Sequence, residues 1–171
     1  MYHLVKPTIF YKKKYLEYMK EWKEEPIVPV VSDLRGRRFE TLLKELYELE
    51  HEIRVPKDYF PDMSYFVINQ DDEIIGFVNI RHYLNDTMID ARGHISIGIK
   101  PTKRNPETIK LVYKLAVDEA QQIGIKQLKL VCKKDIDGMC EYIISLGGRL
   151  ESESYNEIDH YPIQRFLMNL E

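Results

Sequence analysis

The stretch Gly93-His-Ile-Ser-Ile-Gly-Ile-Lys-Pro-Thr-Lys-Arg-Asn-Pro-Glu107 passes from a strand, through a short basic loop, into a helix. Its isoleucines alternate with small or polar residues, so the two sets of side chains occupy opposite faces of a strand. Asn105 and Pro106 are residue types favoured at the N-cap and at the first position of a helix. The segment therefore predicts a strand that ends at a helix N-terminus.

Apolar periodicity extends this pattern in both directions along the chain. The aromatic residues Tyr11, Tyr15, Tyr18 and Trp22 form one stripe of an N-terminal helix. A second helix is predicted over 38–53, and a hairpin of strands over 65–69 and 74–84. After the central stretch come a helix to residue 123, a strand over 127–132, a helix over 137–146 and a final hairpin of 149–154 with 164–169.

Strands that alternate with helices, after a beginning of two helices, predict an α/β fold. The sheet is expected to be mixed, with helices on both faces. A chain of 171 residues has the length of one domain. We expect a single domain over 1–171, with a helical substrate-side region at 1–63, a core at 64–148 and a C-terminal hairpin at 149–171.

Composition excludes several classes of protein. The formal net charge is -3 and the pI is about 6.0, so no nucleic-acid partner is expected. No signal peptide or membrane-spanning run is visible, which favours a cytoplasmic protein. Cys132 and Cys140 have no metal-ligand spacing, so the sequence predicts no metal site and two reduced thiols.

Three segments together resemble the GNAT superfamily of N-acetyltransferases: Ile74–Asn85, Gly93–Pro101 and Gly124–Gly148. The resemblance implies a central, mostly antiparallel sheet with helices on both faces. It also implies acetyl-CoA as the cofactor and direct acetyl transfer to a small amine or to a protein or peptide amine. Homodimers are common in the family, so a homodimer is a further possibility.

The resemblance also assigns the residues that would hold coenzyme A. In the family, the strand that corresponds to 93–100 separates from its neighbour, and the pantetheine arm bonds to the exposed backbone. The pyrophosphate then lies at the following helix N-terminus. Carried over, the cofactor residues are Ile97, Gly98, Ile99, Lys103, Arg104, Asn105, Glu107 and Thr108.

The loop departs from the family pattern where the family has glycines. Asn105 and Glu107 occupy the two glycine positions, and Pro106 has no N–H to offer. Lys100, Lys103 and Arg104 remain as cations. These departures leave a second interpretation open, in which the chain is a catalytically degenerate GNAT-fold module with a binding or regulatory role.

Two histidines are the predicted catalytic bases. By the resemblance, His94 stands where many members carry a glutamate, and an imidazole can accept a proton near neutral pH. His82 is the alternative, because it would face the same cleft from the neighbouring strand. The substrate wall would come from the first two helices and the loop at 55–63, with Tyr15, Tyr18, Tyr59 and Phe60 lining it and Asp58 and Asp62 attracting a cation. The alternative, which is commoner for large aromatic side chains, is that the tyrosines pack the helices.

Overall fold

The computed structural model describes residues 1–57, 60–84, 92–134, 138–156 and 160–170. The strands are β1 (His3–Val5), β2 (Asp62–Ile68), β3 (Ile74–Arg81), β4 (Ile95–Ile99), β5 (Gln127–Lys133), β6 (Arg149–Asn156) and β7 (Tyr161–Asn169). The helices are α1 (Lys12–Lys20), α2 (Phe39–Glu50), α3 (Pro106–Gln122) and α4 (Met139–Ser145). Short 3-10 turns cover Ile9–Tyr11, Val30–Ser32 and Pro101–Lys103.

The described strands form two sheets. One has the order β1-β2-β3-β4 and the other the order β5-β7-β6, and every pairing is antiparallel. The predicted hairpins, β2 with β3 and β6 with β7, are confirmed. β2 begins at Asp62, three residues before the predicted start, because Asp62 already pairs with Arg81.

The first sheet is covered on both faces, as the fold prediction requires. On one face, Val67, Val78 and Ile95 pack with Val112 and Ala116 of α3. On the other face, side chains of α1 and α2 pack on β2 and β3 in a cluster that includes Tyr15, Tyr18, Trp22, Phe39, Leu42, Phe66 and Phe77. The alternation of side chains along β2 and β3 thus feeds two separate hydrophobic cores.

The prediction of two free thiols is wrong. Cys132 near the end of β5 and Cys140 in α4 form a disulfide, with their Cα atoms 6.1 Å apart. Their separation of eight residues gave no sign of this, because the turn that brings strand and helix together is a tertiary feature. In the described parts of the chain, no helix combines the length and the apolar character needed to cross a membrane.

Candidate functional site: a cleft beside strand β4

Among the described residues, the backbones of the two sheets are hydrogen-bonded at one short joint, where the residues just before β4 cross β5. The backbone N–H of His94 donates to the carbonyl oxygen of Lys129 at 2.8 Å, and the N–H of Lys129 donates to Nδ1 of His94 at 2.9 Å. Gly93 permits this approach. Its φ is +64°, and a Cβ there would lie 2.4 Å from the carbonyl oxygen of Lys129. Backbone conformation and space therefore both exclude a side chain at position 93.

Beyond the joint, the described residues contain no ladder between β4 and β5. The N–H of Lys100 donates to the carbonyl of Ile75 at 3.0 Å, which fixes the alternation along β4. Gly98 therefore directs its backbone groups at β3, while Ile97 and Ile99 direct theirs away from β3. We call the gap between this free edge of β4 and β5 the cleft. Of the three strand residues predicted to hold the cofactor, Ile97 and Ile99 offer backbone groups to it.

Gly98 is a packing point, and its predicted contact with the cofactor stays a prediction. A Cβ on Gly98 would lie 1.6 Å from the carbonyl oxygen of Val28 and 3.3 Å from Cδ of Pro29. The segment between α1 and α2 therefore lies directly on β4. Any side chain at position 98 would displace this segment.

The loop that follows β4 is bound to carboxylates from elsewhere in the chain. Lys100, with a side chain only 2% exposed, pairs with Glu21 at 2.7 Å and also with Glu73. The hydroxyl of Thr102 donates to Glu21 as well. Burial alone would lower the pKa of Lys100, but the two carboxylates outweigh it and the pKa is raised. The hydrogen bond from Lys100 in turn lowers the pKa of Glu73.

Arg104 is held by similar contacts. Its Nη1 lies 2.8 Å from a carboxylate oxygen of Glu25, and its Nε and Nη2 donate to the carbonyl oxygen of Ile99 at 3.3 and 3.2 Å. The guanidinium also lies 5.3 Å from the centre of the Trp22 ring. Arg104 thus covers one acceptor on the free edge of β4. Lys103 differs, because it is exposed and forms no ion pair within the described residues.

The N-terminus of α3 is partly satisfied by its own cap. Oδ1 of Asn105 accepts from the N–H of Thr108 at 3.0 Å, and the Asn105 carbonyl accepts from Ile109 at 3.0 Å. Pro106 has no N–H. This leaves the N–H groups of Asn105 and Glu107 without a hydrogen-bond partner among the described residues. The predicted N-cap and first helical residue are confirmed, and they use up much of what a helix N-terminus offers to an anion.

The side chain of Arg81 lies on the sheet face that α1 and α2 cover and contacts the residues of the joint. Its Nη1 donates to the carbonyl of Gly93 at 3.0 Å and to the hydroxyl of Ser96 at 3.1 Å. Burial lowers the pKa of Arg81, against the attraction of Asp62. The side chain therefore holds the turn into β4 in place.

Asp62 is buried opposite Arg81 in the strand register. Its Oδ1 has no hydrogen-bond partner within the described residues. Burial raises the pKa of Asp62 to about 6, while Asn79 and Arg81 oppose that rise. Asp62 is thus a buried carboxyl with an unused acceptor beside the joint.

The two predicted bases lie near each other in the fold and differ in their contacts. His94 uses Nδ1 to accept from Lys129, so its proton is on Nε2, and burial lowers its pKa. Nε2 of His82 is buried without a hydrogen-bond partner in the described chain, and the backbone N–H of His82 donates to Pro61 at 3.2 Å. A catalytic role for either histidine stays a prediction.

The predicted substrate wall is placed only in part. Tyr15 and Tyr18 are 0% and 1% exposed and belong to the core under α1, so the expectation that they line an open pocket is wrong. Phe60 is partly buried, and Asp58 and Tyr59 lie outside the described residues. Large aromatic side chains on one helical stripe pack as core because that burial is their largest favourable term.

Sequence reasoning missed the carboxylates that bind the loop. Glu21 and Glu25 follow α1 about 80 residues before their partners, and Glu73 ends the β2–β3 turn. Nothing in their local sequence distinguishes them from solvated surface residues. Only the density of acidic residues at 21–25 indicated a charged contact, and it did not show which cations they would bind.

Comparison with known proteins gives similarity in structure alone. No family model and no curated protein matches this sequence. The ribosomal-protein-S5-alanine acetyltransferase of Vibrio fischeri matches with a TM-score of 0.65 and 11% identity, over 99% of this chain and 92% of that one. Mutant forms of the spermidine/spermine N-acetyltransferase SpeG of Vibrio cholerae match with a TM-score of 0.64 and 14% identity, over 99% of this chain and 94% of that one.

A third structure contains a donor molecule. The microcin C7 self-immunity acetyltransferase MccE, in complex with acetyl-CoA and AMP, matches with a TM-score of 0.63 and 13% identity, over 98% of this chain and 92% of that one. The matches span nearly the full length of both chains, and they agree with the two antiparallel sheets and the helices on both faces. The chain has the fold of the GNAT-superfamily N-acetyltransferases.

Proposed function

We propose that this protein is an N-acetyltransferase that transfers an acetyl group from acetyl-CoA, or a thioester of that type, directly to an amine. The observation that carries the proposal is the cleft, where β4 has a free edge with the backbone groups of Ile97 and Ile99 directed into it. An arm that contains amide groups can bond to such an edge as an added strand. The acceptor is a small amine or a protein or peptide amine.

The residues present fit one half of coenzyme A and not the other. The free edge of β4 suits the pantetheine arm. The loop at 100–107 does not suit the pyrophosphate, because Lys100 and Arg104 are already paired and Asn105 caps the helix. The steps of acetyl transfer are therefore assigned to residues of the chain at the cleft.

Acetyl transfer needs a neutral amine whose nitrogen forms a bond to the carbonyl carbon while the carbon–sulfur bond breaks. An N–H on the free edge, from Ile97 or Ile99, can donate to the carbonyl oxygen as negative charge develops there. A histidine can take the proton of the amine. His82 is the better candidate, because its Nε2 has no hydrogen-bond partner in the described chain, whereas Nδ1 of His94 accepts from Lys129.

A thermal-shift titration tests the binding step. Acetyl-CoA at millimolar concentration should raise Tm, because a ligand of the native state stabilises it. Ile97→Pro removes one donor from the free edge without touching the β3 ladder, so it should weaken the shift. Its far-UV circular dichroism must match the wild type. An unmoved Tm in the wild type, with both acetyl-CoA and S-acetyl-pantetheine, would refute the proposal.

Separate alanine variants of the two histidines test the catalytic assignment. A residue that serves as the base should lower kcat by about 100-fold or more when removed, while donor affinity stays close to the wild-type value. His94→Ala also leaves the N–H of Lys129 without its partner, so its stability must be measured beside its rate. Wild-type turnover in either variant removes that histidine from the mechanism.

A second candidate function is favoured by the paired cations of the loop. A chain that has lost donor binding altogether would act as a binding or regulatory module. Asn105→Gly with Glu107→Gly should tighten the binding of coenzyme A if the loop lies at the pyrophosphate position. Unchanged or weaker affinity in that double variant would mean that the loop is misaligned with the family motif.

A further inference from the structure

The region that would receive a donor has two parts with opposite properties, and this difference points to the class of donor. We infer that the donor is recognised by its acyl-pantetheine arm and not by a nucleotide pyrophosphate, so that pantetheine thioesters lacking the ADP part bind as well as acetyl-CoA. The inference rests on the proposed function and specifies its substrate class.

The charge around the loop argues against a pyrophosphate. Three cations are outnumbered by four carboxylates that bind them or share the helix N-terminus: Lys100, Lys103 and Arg104 against Glu21, Glu25, Glu73 and Glu107. These seven side chains together therefore carry a net charge of −1 before any ligand arrives. The phosphates of coenzyme A would add further negative charge at this place, which Coulomb repulsion disfavours.

The two best-placed cations are also committed geometrically. Lys100 is buried against Glu21 and Glu73, so a phosphate would have to displace a carboxylate to reach it. Arg104 would have to leave Glu25 and the carbonyl of Ile99. Each such exchange replaces one ion pair by another, so a phosphate gains little from either residue.

Hydrogen-bond donors are scarce at the same place. A helix N-terminus binds anions through several unpaired N–H groups. Here Pro106 has none and the N–H of Thr108 is bonded to the side chain of Asn105, so only the N–H groups of Asn105 and Glu107 remain. The carboxylate of Glu107 stands in the first turn. The free edge of β4 also has two N–H groups without a hydrogen bond in the described chain, those of Ile97 and Ile99.

A donor without the nucleotide meets none of these obstacles. Its arm uses the free edge of β4, and a single terminal phosphate needs only one accessible cation, for which exposed Lys103 remains. This chemistry has two sources. One is a free S-acyl pantetheine or its 4′-phosphate, and the other is the phosphopantetheine arm of an acyl carrier protein.

Isothermal titration of the wild-type protein with three ligands tests the inference. The ligands are acetyl-CoA, S-acetyl-4′-phosphopantetheine and S-acetyl-pantetheine, all without the free thiol that would react with the Cys132–Cys140 disulfide. We expect dissociation constants that agree within about threefold. Acetyl-CoA that binds 30-fold or more tightly than S-acetyl-pantetheine would overturn the inference and leave the proposed function intact. Absence of binding by all three would overturn the proposed function itself.

A charge variant supplies an independent readout. Glu25→Gln with Glu107→Gln removes two carboxylates from the loop, so affinity for acetyl-CoA should rise by fivefold or more while that for S-acetyl-pantetheine stays constant. Glu24→Gln is the matched control, since Glu24 is exposed and forms no ion pair within the described residues. Equal gains for both ligands, or no gain for acetyl-CoA, would count against the inference.

A fourth ligand separates the two sources. An acetyl-loaded acyl carrier protein that binds at least tenfold more tightly than S-acetyl-4′-phosphopantetheine assigns the protein-borne arm. Equal or weaker binding assigns the free thioester. Either result supports recognition through the arm, provided that acetyl-CoA holds no advantage.

Discussion

The joint and the loop, at the two ends of the cleft, are built from different interactions. At the joint, backbone hydrogen bonds between His94 and Lys129 require a glycine at position 93. At the helix end of the loop, Arg104 is held by one ion pair with Glu25, and the two side chains are 38% and 48% exposed. Backbone contacts that need a glycine cannot be rearranged without strain, whereas partly exposed ion pairs contribute little and can be exchanged. The joint is therefore expected to determine the fold and the loop to determine the ligand.

The largest expected effect breaks the joint. Gly93→Ala places a Cβ against the Lys129 carbonyl and forces a non-glycine residue to a φ of +64°, so the free energy of unfolding should fall by about 2–5 kcal/mol. Urea denaturation measures this fall in the free energy of unfolding. Gly124→Ala is the matched control, because its φ is +90° but no atom lies within 4 Å of the added Cβ. Equal losses in the two variants would show that the contact with β5 adds nothing.

A second prediction concerns the buried carboxyl beside the joint. The pKa of Asp62 rises from 3.8 to about 6 on folding, so its stabilising contribution is complete below pH 3.8 and is lost as pH rises through 6. Asp62→Asn should therefore raise the free energy of unfolding at pH 7.5 by about 1–3 kcal/mol and flatten its dependence on pH between 4 and 6.

The charges that face Asp62 come from Arg81, Glu50 and Lys6, and they stay in place in the variant. Asp118→Asn, on an exposed face of α3, is the control and should change stability little. An Asp62→Asn protein that is less stable than the wild type at pH 7.5 would show that the attraction of Arg81 exceeds the desolvation of the carboxylate.

A third prediction concerns β5, the other wall of the cleft. The disulfide joins β5 to α4 through cysteines eight positions apart, so reduction should lower the free energy of unfolding by about 2 kcal/mol. Intact-mass measurement should show a protein about 2 Da lighter than the dithiol form. The double variant Cys132→Ser with Cys140→Ser should be insensitive to the reductant. A native protein that reacts with two equivalents of a thiol reagent would contradict this pairing.

The smallest expected effect lies at the loop. Glu25→Gln removes the partner of Arg104 and should change the free energy of unfolding by less than about 1 kcal/mol, because both side chains are more than a third exposed. Added salt should remove most of the difference between variant and wild type. A loss as large as that of Gly93→Ala would show that the two ends of the cleft are equally rigid.

Much of the fold could be predicted from local pattern. Alternation along residues 93–99 and the Asn105–Pro106 start of α3 gave the central strand and helix, and both are observed. The start of β2 and the Cys132–Cys140 bond were not found, because each depends on a contact between two elements: Asp62 with Arg81 of β3, and β5 with α4. The aromatic stripe of α1 favoured helix packing over a substrate wall, and the burial of its side chains confirms the packing.

The position of the candidate site could be predicted from the sequence, but the ion pairs that its cations form could not. The sequence placed it at β4 and the loop after it, since the residue types there are those of a strand, a basic turn and a helix cap. It gave no indication that Glu21, Glu25 and Glu73 would bind Lys100 and Arg104. Ion pairs between segments about 80 residues apart follow from how helices pack on a sheet, which no local pattern records.

The sequence by itself determined where strands and helices form, because hydrophobic period, glycine, proline and capping residues act within a few positions of one another. Only the tertiary structure decided which backbone groups of β4 stay unpaired and which cations of the loop are neutralised. Both depend on contacts made across the fold: the Gly93–Lys129 crossing sets the first, and the residues that follow α1 set the second.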